Sequence, residues 1–236
     1  MLANLIKNAA SKERDLSYVP KSVLTCLCFG LAFQIVLHAT RPDPLALAAS
    51  LPAPVANHYL QVTSFGEPVT LSKITMLWLQ AFDNQPGISV PFDNLNYDNV
   101  IAWLDTILLL DPRGHYPLLS ARIYAEVPND NKKRSMLDFI YKKFLQRPNE
   151  RWAWMAHAVF VAKHKLHDLD LALNYARELR AYTSVDKVPG WARQLELFVL
   201  EELGELEAAQ IILGGLIESG EITDQHEIEF LMSRLK

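Results

Sequence analysis

Four residues within a short span carry the side chains a metal centre would need: His157, His164, His167 and Asp168. His157 and His164 are seven apart, and His164 and Asp168 four apart, spacings that share a helical face. Imidazole and carboxylate could then converge on one divalent ion and activate water for hydrolysis. Against this, the helix carrying them should break near Leu166, and no second ligand cluster follows. A solvated helix end accounts for the same residues. His226-Glu227 begins like the zinc-protease helix, but three beyond Glu227 stands Phe230 in place of the second histidine. Asp83, Asp93 and Asp98 lack the spacing of a calcium loop. The chain has no phosphate-binding loop, nucleophile elbow or Gly-rich dinucleotide turn. A metal-dependent hydrolase stays as an alternative; the expectation is a non-enzyme without metal or cofactor.

Residues 148–181, which hold these histidines, read as two helices folded back on each other. Pro148 closes what precedes it, and Asn149 is a good N-cap. Trp152 to Ala162 is apolar on every side (Trp152, Trp154, Met155, Val159, Phe160, Val161), broken only by His157. A helix of that kind is sandwiched between neighbours on more than one face. Lys163, His164 and Lys165 suit a helix C-terminus. Asp168 caps a second helix with the stripe Leu169, Ala172, Leu173, Ala176, Leu179. The plan recurs, predicting helices over 55–63, 68–82, 97–110, 116–127, 132–146, 191–203, 206–217 and 222–235. In the second of these Leu71, Ile74, Leu77, Trp78 and Leu79 supply the apolar residues; in the last, Ile228, Leu231 and Leu235 face inward. Periods of three to four leave no strand, and 9 glycines in 236 residues argue against a turn-rich all-β fold. Residues 83–96 interrupt the pattern with Pro86, Gly87 and Pro91, an irregular run of a length that is often functional.

Residues 22–40 hold no formal charge. At about 1.5 Å per residue they reach roughly 28 Å, close to the hydrocarbon thickness of a bilayer. Lys7, Lys12, Arg14 and Lys21 precede the segment and Arg41 alone closely follows. The positive-inside rule therefore puts residues 1–21 in the cytoplasm and everything beyond the span across the membrane. Residues 1–21 begin with Leu2, Leu5, Ile6 and Ala9 at helical spacing and suit a membrane surface or a frayed tail. A cleaved signal peptide is the rival, with Ala46-Leu47-Ala48 resembling a cleavage site rather far beyond the apolar run. Cys26 follows Val23-Leu24-Thr25, which lacks the small residue of a lipoprotein signal. Cys26 and Cys28 are the only cysteines, so no disulfide staples the rest. Gln34 and His38 are costly against lipid and suit contact with another membrane helix. Residues 41–54, with Pro42, Pro44, Pro52 and Pro54, read as a linker.

Pro112 and Pro148 lie 36 residues apart, each before an aromatic-opened helix, and Pro189 follows 41 later. With Leu200, Leu203-Gly204-Glu205, Ala209, Leu213 and Leu216, and more loosely Pro148, Trp154, Ala158 and Ala172, this resembles the tetratricopeptide repeat over roughly residues 55–218. Arg122, where a small residue belongs, and the 83–96 run depart from the pattern. Phrases such as Leu77-Trp78-Leu79-Gln80-Ala81-Phe82 and Leu109-Leu110-Asp111-Pro112-Arg113-Gly114 also resemble uncharacterised membrane-anchored proteobacterial proteins, which implies no activity. The repeat resemblance implies an all-α fold, a right-handed stack of helical hairpins over 55–236 with a C-terminal capping helix. It also implies a concave groove lined by the first helix of each pair.

Aligned by helix start, Tyr116, Trp152 and Trp191 would face that groove, with Met155 and Phe198 nearby. Rigid aromatics of this kind suit a peptide or helix partner; plain core packing uses them equally, and exposure separates the two. Charge is segregated. Lys132, Lys133, Arg134, Lys142, Lys143, Arg147 and Arg151 cluster in the middle, while residues 194–233 contain no lysine or arginine and many acids. Solvated faces explain this, as do two docking surfaces of opposite sign or head-to-tail self-association. A net charge of −4 does not suit nucleic acid. The expectation is a single-pass protein of a bacterial inner membrane with a periplasmic adaptor or assembly domain. The alternative is an accessory subunit held through its span.

Overall fold

The computed structural model describes residues 19–40 and 48–235. The expected cytoplasmic segment lies almost wholly outside the described residues, as do Arg41 and Ala46. The chain divides into two compact units, Met1–Ala46 and Leu47–Lys236.

Among the described residues of the first unit is the helix α1 (Lys21–Thr40), long and apolar enough to cross a membrane. None of its residues is buried.

The second unit is helical apart from one small hairpin. Its elements are α2 (Asn57–Thr63), α3 (Pro68–Gln80), β1 (Asn84–Gln85), β2 (Ile88–Ser89), a 3-10 turn (Phe92–Asn94), α4 (Tyr97–Leu110), α5 (Tyr116–Tyr124), α6 (Asp130–Gln146) and α7 (Pro148–His164). They continue with α8 (Leu169–Tyr182), α9 (Gly190–Arg193), α10 (Leu195–Leu203), α11 (Leu206–Glu218) and α12 (Gln225–Arg234). Side-chain caps open several of them. Asn96 accepts from the amides of Asp98 and Asn99, Asn129 from Lys132, Asp168 from Leu171 and Asp224 from His226. Gly204, at φ +78, supplies the left-handed turn after α10.

Each helix packs chiefly on the next and the next but one in sequence, with α9 and α10 acting as one interrupted helix. Polar links repeat that step. Ser72 to the carbonyl of Ile107, Gln80 to Ser120, Arg134 to Asp168, Asn149 to Ser184 and Arg234 to Glu201 all join residues 33 to 40 apart. The α7 helix buries Met155, Ala156, Ala158, Val159, Val161 and Ala162 and packs against α5, α6 and α8, as its all-round apolarity requires. The core falls into two clusters. One runs from Leu51 to Val199, and a smaller one joins Leu197 and Leu200 to Leu213, Leu231 and Leu235.

The structure corrects several expectations. Asn149 does not cap: Pro148 is the first residue of α7, and Asn149 reaches Ser184 instead, accepting from its amide at 2.8 Å. In α3 the buried face holds Ser72, Thr75, Met76 and Leu79, while Ile74, Leu77 and Trp78 point outward. Residues 83–96 hold a short hairpin and a 3-10 turn, where no strand was expected. Asn84 pairs with Ser89 and Gln85 with Ile88 across Pro86-Gly87, strands too short for alternation to register. The end of the expected linker is not a free spacer. Gln85 accepts from the amide of Ala49 and donates to its carbonyl, Asn99 donates to the carbonyl of Leu51, and Trp103 Nε1 to that of Pro52. Leu51 is buried. Contacts with the helical unit therefore reach back to Ala49, ahead of residue 55.

Candidate functional site

The first helices α3, α5, α7 and α9–α10 touch one another in succession. They keep apolar rings and side chains in water: Leu77, Tyr116, Leu119, Ile123, Phe160 and Trp191 are exposed. Tyr116 opens α5 with Pro117 behind it, and its ring is 60% exposed. It shares a hollow of about 300 Å³ with Lys73, Met76, Leu77 and Gln80 of α3. Trp191 is 54% exposed and meets the half-buried Trp152 edge to face, ring centres 5.6 Å apart. Such an arrangement leaves one amphipathic ring available while the other braces it.

The five expected partner-binding residues thus separate. Trp152 and Trp191 come together, and Tyr116 lines its own hollow between α3 and α5. Met155 is a correction: it is completely buried in the core, because the α7 face it occupies is covered by neighbouring helices. Phe198 packs half-buried on the smaller core beneath the Arg234 guanidinium, 5.5 Å from its ring. Gln34 and His38 are both exposed on α1.

His157, Phe160 and His164 follow one another on α7; the phenyl ring stacks on the His157 imidazole at 5.9 Å and meets His164 tilted at 4.8 Å. His167 lies in the turn after α7 with φ +52, and Asp168 is occupied by the Leu171 amide and Arg134. Among the described residues no group of three or more His, Cys, Asp and Glu side chains is placed to hold a metal.

His157 has a different consequence. Its Nε2 is buried without a hydrogen-bond partner, 3.7 Å from Glu126. Burial pushes its pKa below the ordinary 6.5, the nearby Arg122 adds to this, and Glu126 opposes it. Above about pH 6.5 folded and unfolded chains both hold it neutral, with no effect on stability. Below that, the unfolded chain takes up a proton that the folded chain resists, so stability falls until the lower folded pKa is passed. His157→Gln is expected to flatten this loss, read as the urea midpoint at about pH 7.5 against about 5.5.

Many of the segregated charges prove to be internal ties. Lys132 donates to the carbonyls of Asp93 and Leu95, Lys133 pairs with Asp130, and Lys142 with Asp138. Lys143 pairs with Asp105, Arg134 with Asp168 and Arg147 with Glu150. In the acidic run, Glu196 accepts from Arg177 and Arg180, Glu221 from Arg193, Glu201 from Arg234 and Glu202 from Lys163. Much of the segregated charge is thus used within the chain, while Glu205, Glu207, Glu218, Asp224 and Glu229 stay exposed. Lys143–Asp105, Arg134–Asp168, Glu196–Arg177, Glu196–Arg180, Glu221–Arg193, Glu201–Arg234 and Glu202–Lys163 join different elements, whereas Lys133–Asp130 and Lys142–Asp138 lie within α6. Lys133–Asp130, Lys142–Asp138 and Arg147–Glu150 are three or four apart and were open to sequence reading. Lys143–Asp105, Arg134–Asp168, Lys163–Glu202 and Arg234–Glu201 join residues 33 to 39 apart, where only opposite charges about one repeat apart gave a signal.

No protein-family model, curated protein or solved structure matches this chain.

Proposed function

We propose that this is a membrane-anchored, tetratricopeptide-like adaptor or assembly factor that binds a protein or peptide through the exposed aromatic row of its first helices. The observation that carries this reading is the exposure of Tyr116 and Trp191 on successive first helices, where a single-purpose core would have buried them. The contact pattern between near neighbours and the polar links one repeat apart support the repeat assignment. In this reading α1 spans a bacterial inner membrane, with residues 1–21 in the cytoplasm and the helical unit in the periplasm. The span raises the local concentration of partners.

Photo-crosslinking from positions 116 and 191 in intact membranes is expected to capture the same discrete species. Trp191→Ala is expected to weaken that capture about thirtyfold, equivalent to about 2 kcal/mol at an interface tryptophan. Crosslinks no more discrete than those from the outward Ile211 overturn the reading. Gln34 and His38, exposed on an otherwise apolar helix, favour the accessory-subunit version. Replacing the span by a neutral poly-leucine helix tests it, since unchanged co-purification removes that version.

A further inference from the structure

Arg151 and Arg193 take corresponding places one helical hairpin apart, with one difference. Each sends a terminal nitrogen back to a carbonyl near the end of the preceding helix, Lys143 for Arg151 and Arg180 for Arg193. Arg193 then holds the Glu221 carboxylate with Nε and its other terminal nitrogen. Arg151 spends that second nitrogen on the Pro112 carbonyl, and its Nε donates to none of the described residues. Where a carboxylate would be expected there is a hollow of about 440 Å³, bordered by Leu108 and Leu109 of α4, Pro112, Lys143 of α6, Arg147 and Arg151 itself. Of the cations on its wall, Lys143 is paired with Asp105 and Arg147 with Glu150. Arg151, 5% exposed, is left as the lining cation that no described carboxylate touches. A charge held out of water in this way is stabilised by an anion in contact with it.

We propose that this hollow binds a small aliphatic monocarboxylate, seated on Arg151 as Glu221 is seated on Arg193. One positive charge without a carboxylate partner matches one carboxylate, whereas a phosphate dianion would keep a surplus. The Nε–H supplies a charge-assisted hydrogen bond to a carboxylate oxygen, and Lys143 and Arg147 on the same wall add attraction. Leu108, Leu109 and Pro112 offer apolar surface to the aliphatic part, and Leu109, 54% exposed, gains cover from it. An apolar wall with a few placed polar groups is the usual form of a small-molecule site. Neither Tyr116 nor Trp191 borders the hollow, so the inference stands apart from the aromatic row and its partner.

The test is calorimetric titration of the full detergent-solubilised chain with sodium butyrate, ionic strength being held constant with sodium chloride. One saturable site is expected. Leu109→Glu, at an exposed position, brings a carboxylate to the hollow from its own wall and should weaken butyrate about tenfold or more. The same variant should unfold at no lower urea concentration than the wild type, because Arg151 gains the partner it lacks. Lys187→Gln removes an exposed cation elsewhere and should leave the affinity within about twofold, the range of a remote surface charge. Absence of saturable butyrate binding overturns the inference, as does equal affinity in Leu109→Glu. Sodium phosphate binding as tightly as butyrate, with the same loss in Leu109→Glu, also overturns it, since the hollow is then a general anion site.

Discussion

Arg193→Met is expected to destabilise the helical unit by about 3–5 kcal/mol, the cost of breaking a buried ion pair from one side. The guanidinium is 8% exposed and fully occupied. Nε and one terminal nitrogen hold both oxygens of Glu221 at 3.0 and 3.2 Å. The other terminal nitrogen donates to the carbonyl of Arg180 at 3.0 Å, to Thr183 Oγ1 at 3.1 Å and to the Thr183 carbonyl. Methionine fills similar space but donates nothing, leaving a carboxylate and two carbonyls unpaired. Glu221→Gln should cost less, because Arg193 keeps its carbonyl partners. Urea unfolding of the detergent-solubilised chain measures both; a loss under about 1 kcal/mol for Arg193→Met, the range of an exposed pair, means the network is idle.

The location of that arginine explains the size of the effect. Arg193, Gln194 and Glu196 are all buried within four residues, at the junction of α9 and α10. A continuous helix would spread these side chains around its circumference; the interruption at Gln194 coincides with their burial. Gln194 reaches Glu227, and Glu196, 2% exposed, gathers Arg177 and Arg180. Immediately beyond them lie Leu197 and Leu200 of the smaller core. A buried polar layer thus joins the two apolar clusters, and weakening it should release the C-terminal helices first. Hydrogen exchange in Arg193→Met is expected to accelerate over α11 and α12 before α6 and α8.

Helices were legible where local chemistry is decisive. Tyr97–Leu110 was expected with its observed limits, and the Asp168 cap forms as its residue type implies. What escaped depends on distant neighbours. Asn149 has the chemistry of an N-cap, but Pro148 is compatible with a first helical turn, and Ser184 gives the amide a better use. The break at Gln194 has no proline or glycine to announce it. Ile74 and Leu77 carry the period of a core stripe; only the burial of Ser72, which donates to the Ile107 carbonyl, turns that stripe outward. For the same reason the groove positions could be ranked by type but not by exposure, so Trp191 and Met155, the latter expected only near the groove, part company in space.

The lysines and arginines of the middle helices carry the clearest mismatch between composition and use, and Arg151 tests it. Like Arg193, it lies a few residues after a helix-opening proline and reaches back to carbonyls at the end of the preceding helix. Its NH1 donates to the Lys143 carbonyl at 2.7 Å and to Gln146 at 3.3 Å, and its NH2 to the Pro112 carbonyl at 3.0 Å. The group is buried with no carboxylate in direct contact; desolvation and Arg147 lower its pKa, and Glu150 and Asp105 oppose this only from a distance. The negative end of α6 and the turn after α4 supply the compensation instead. Arg151→Met removes the clamp and the buried charge together, so its expected cost is about 1–3 kcal/mol, set chiefly by the Lys143 carbonyl, since Arg147 also donates to the Pro112 carbonyl at 3.3 Å. Arg151→Lys keeps the charge but cannot span Lys143 and Pro112 with one compact ammonium. It should therefore recover less than half of the loss in the same urea titration. Full rescue by lysine would mean that charge, and not the fork, joins these three helices.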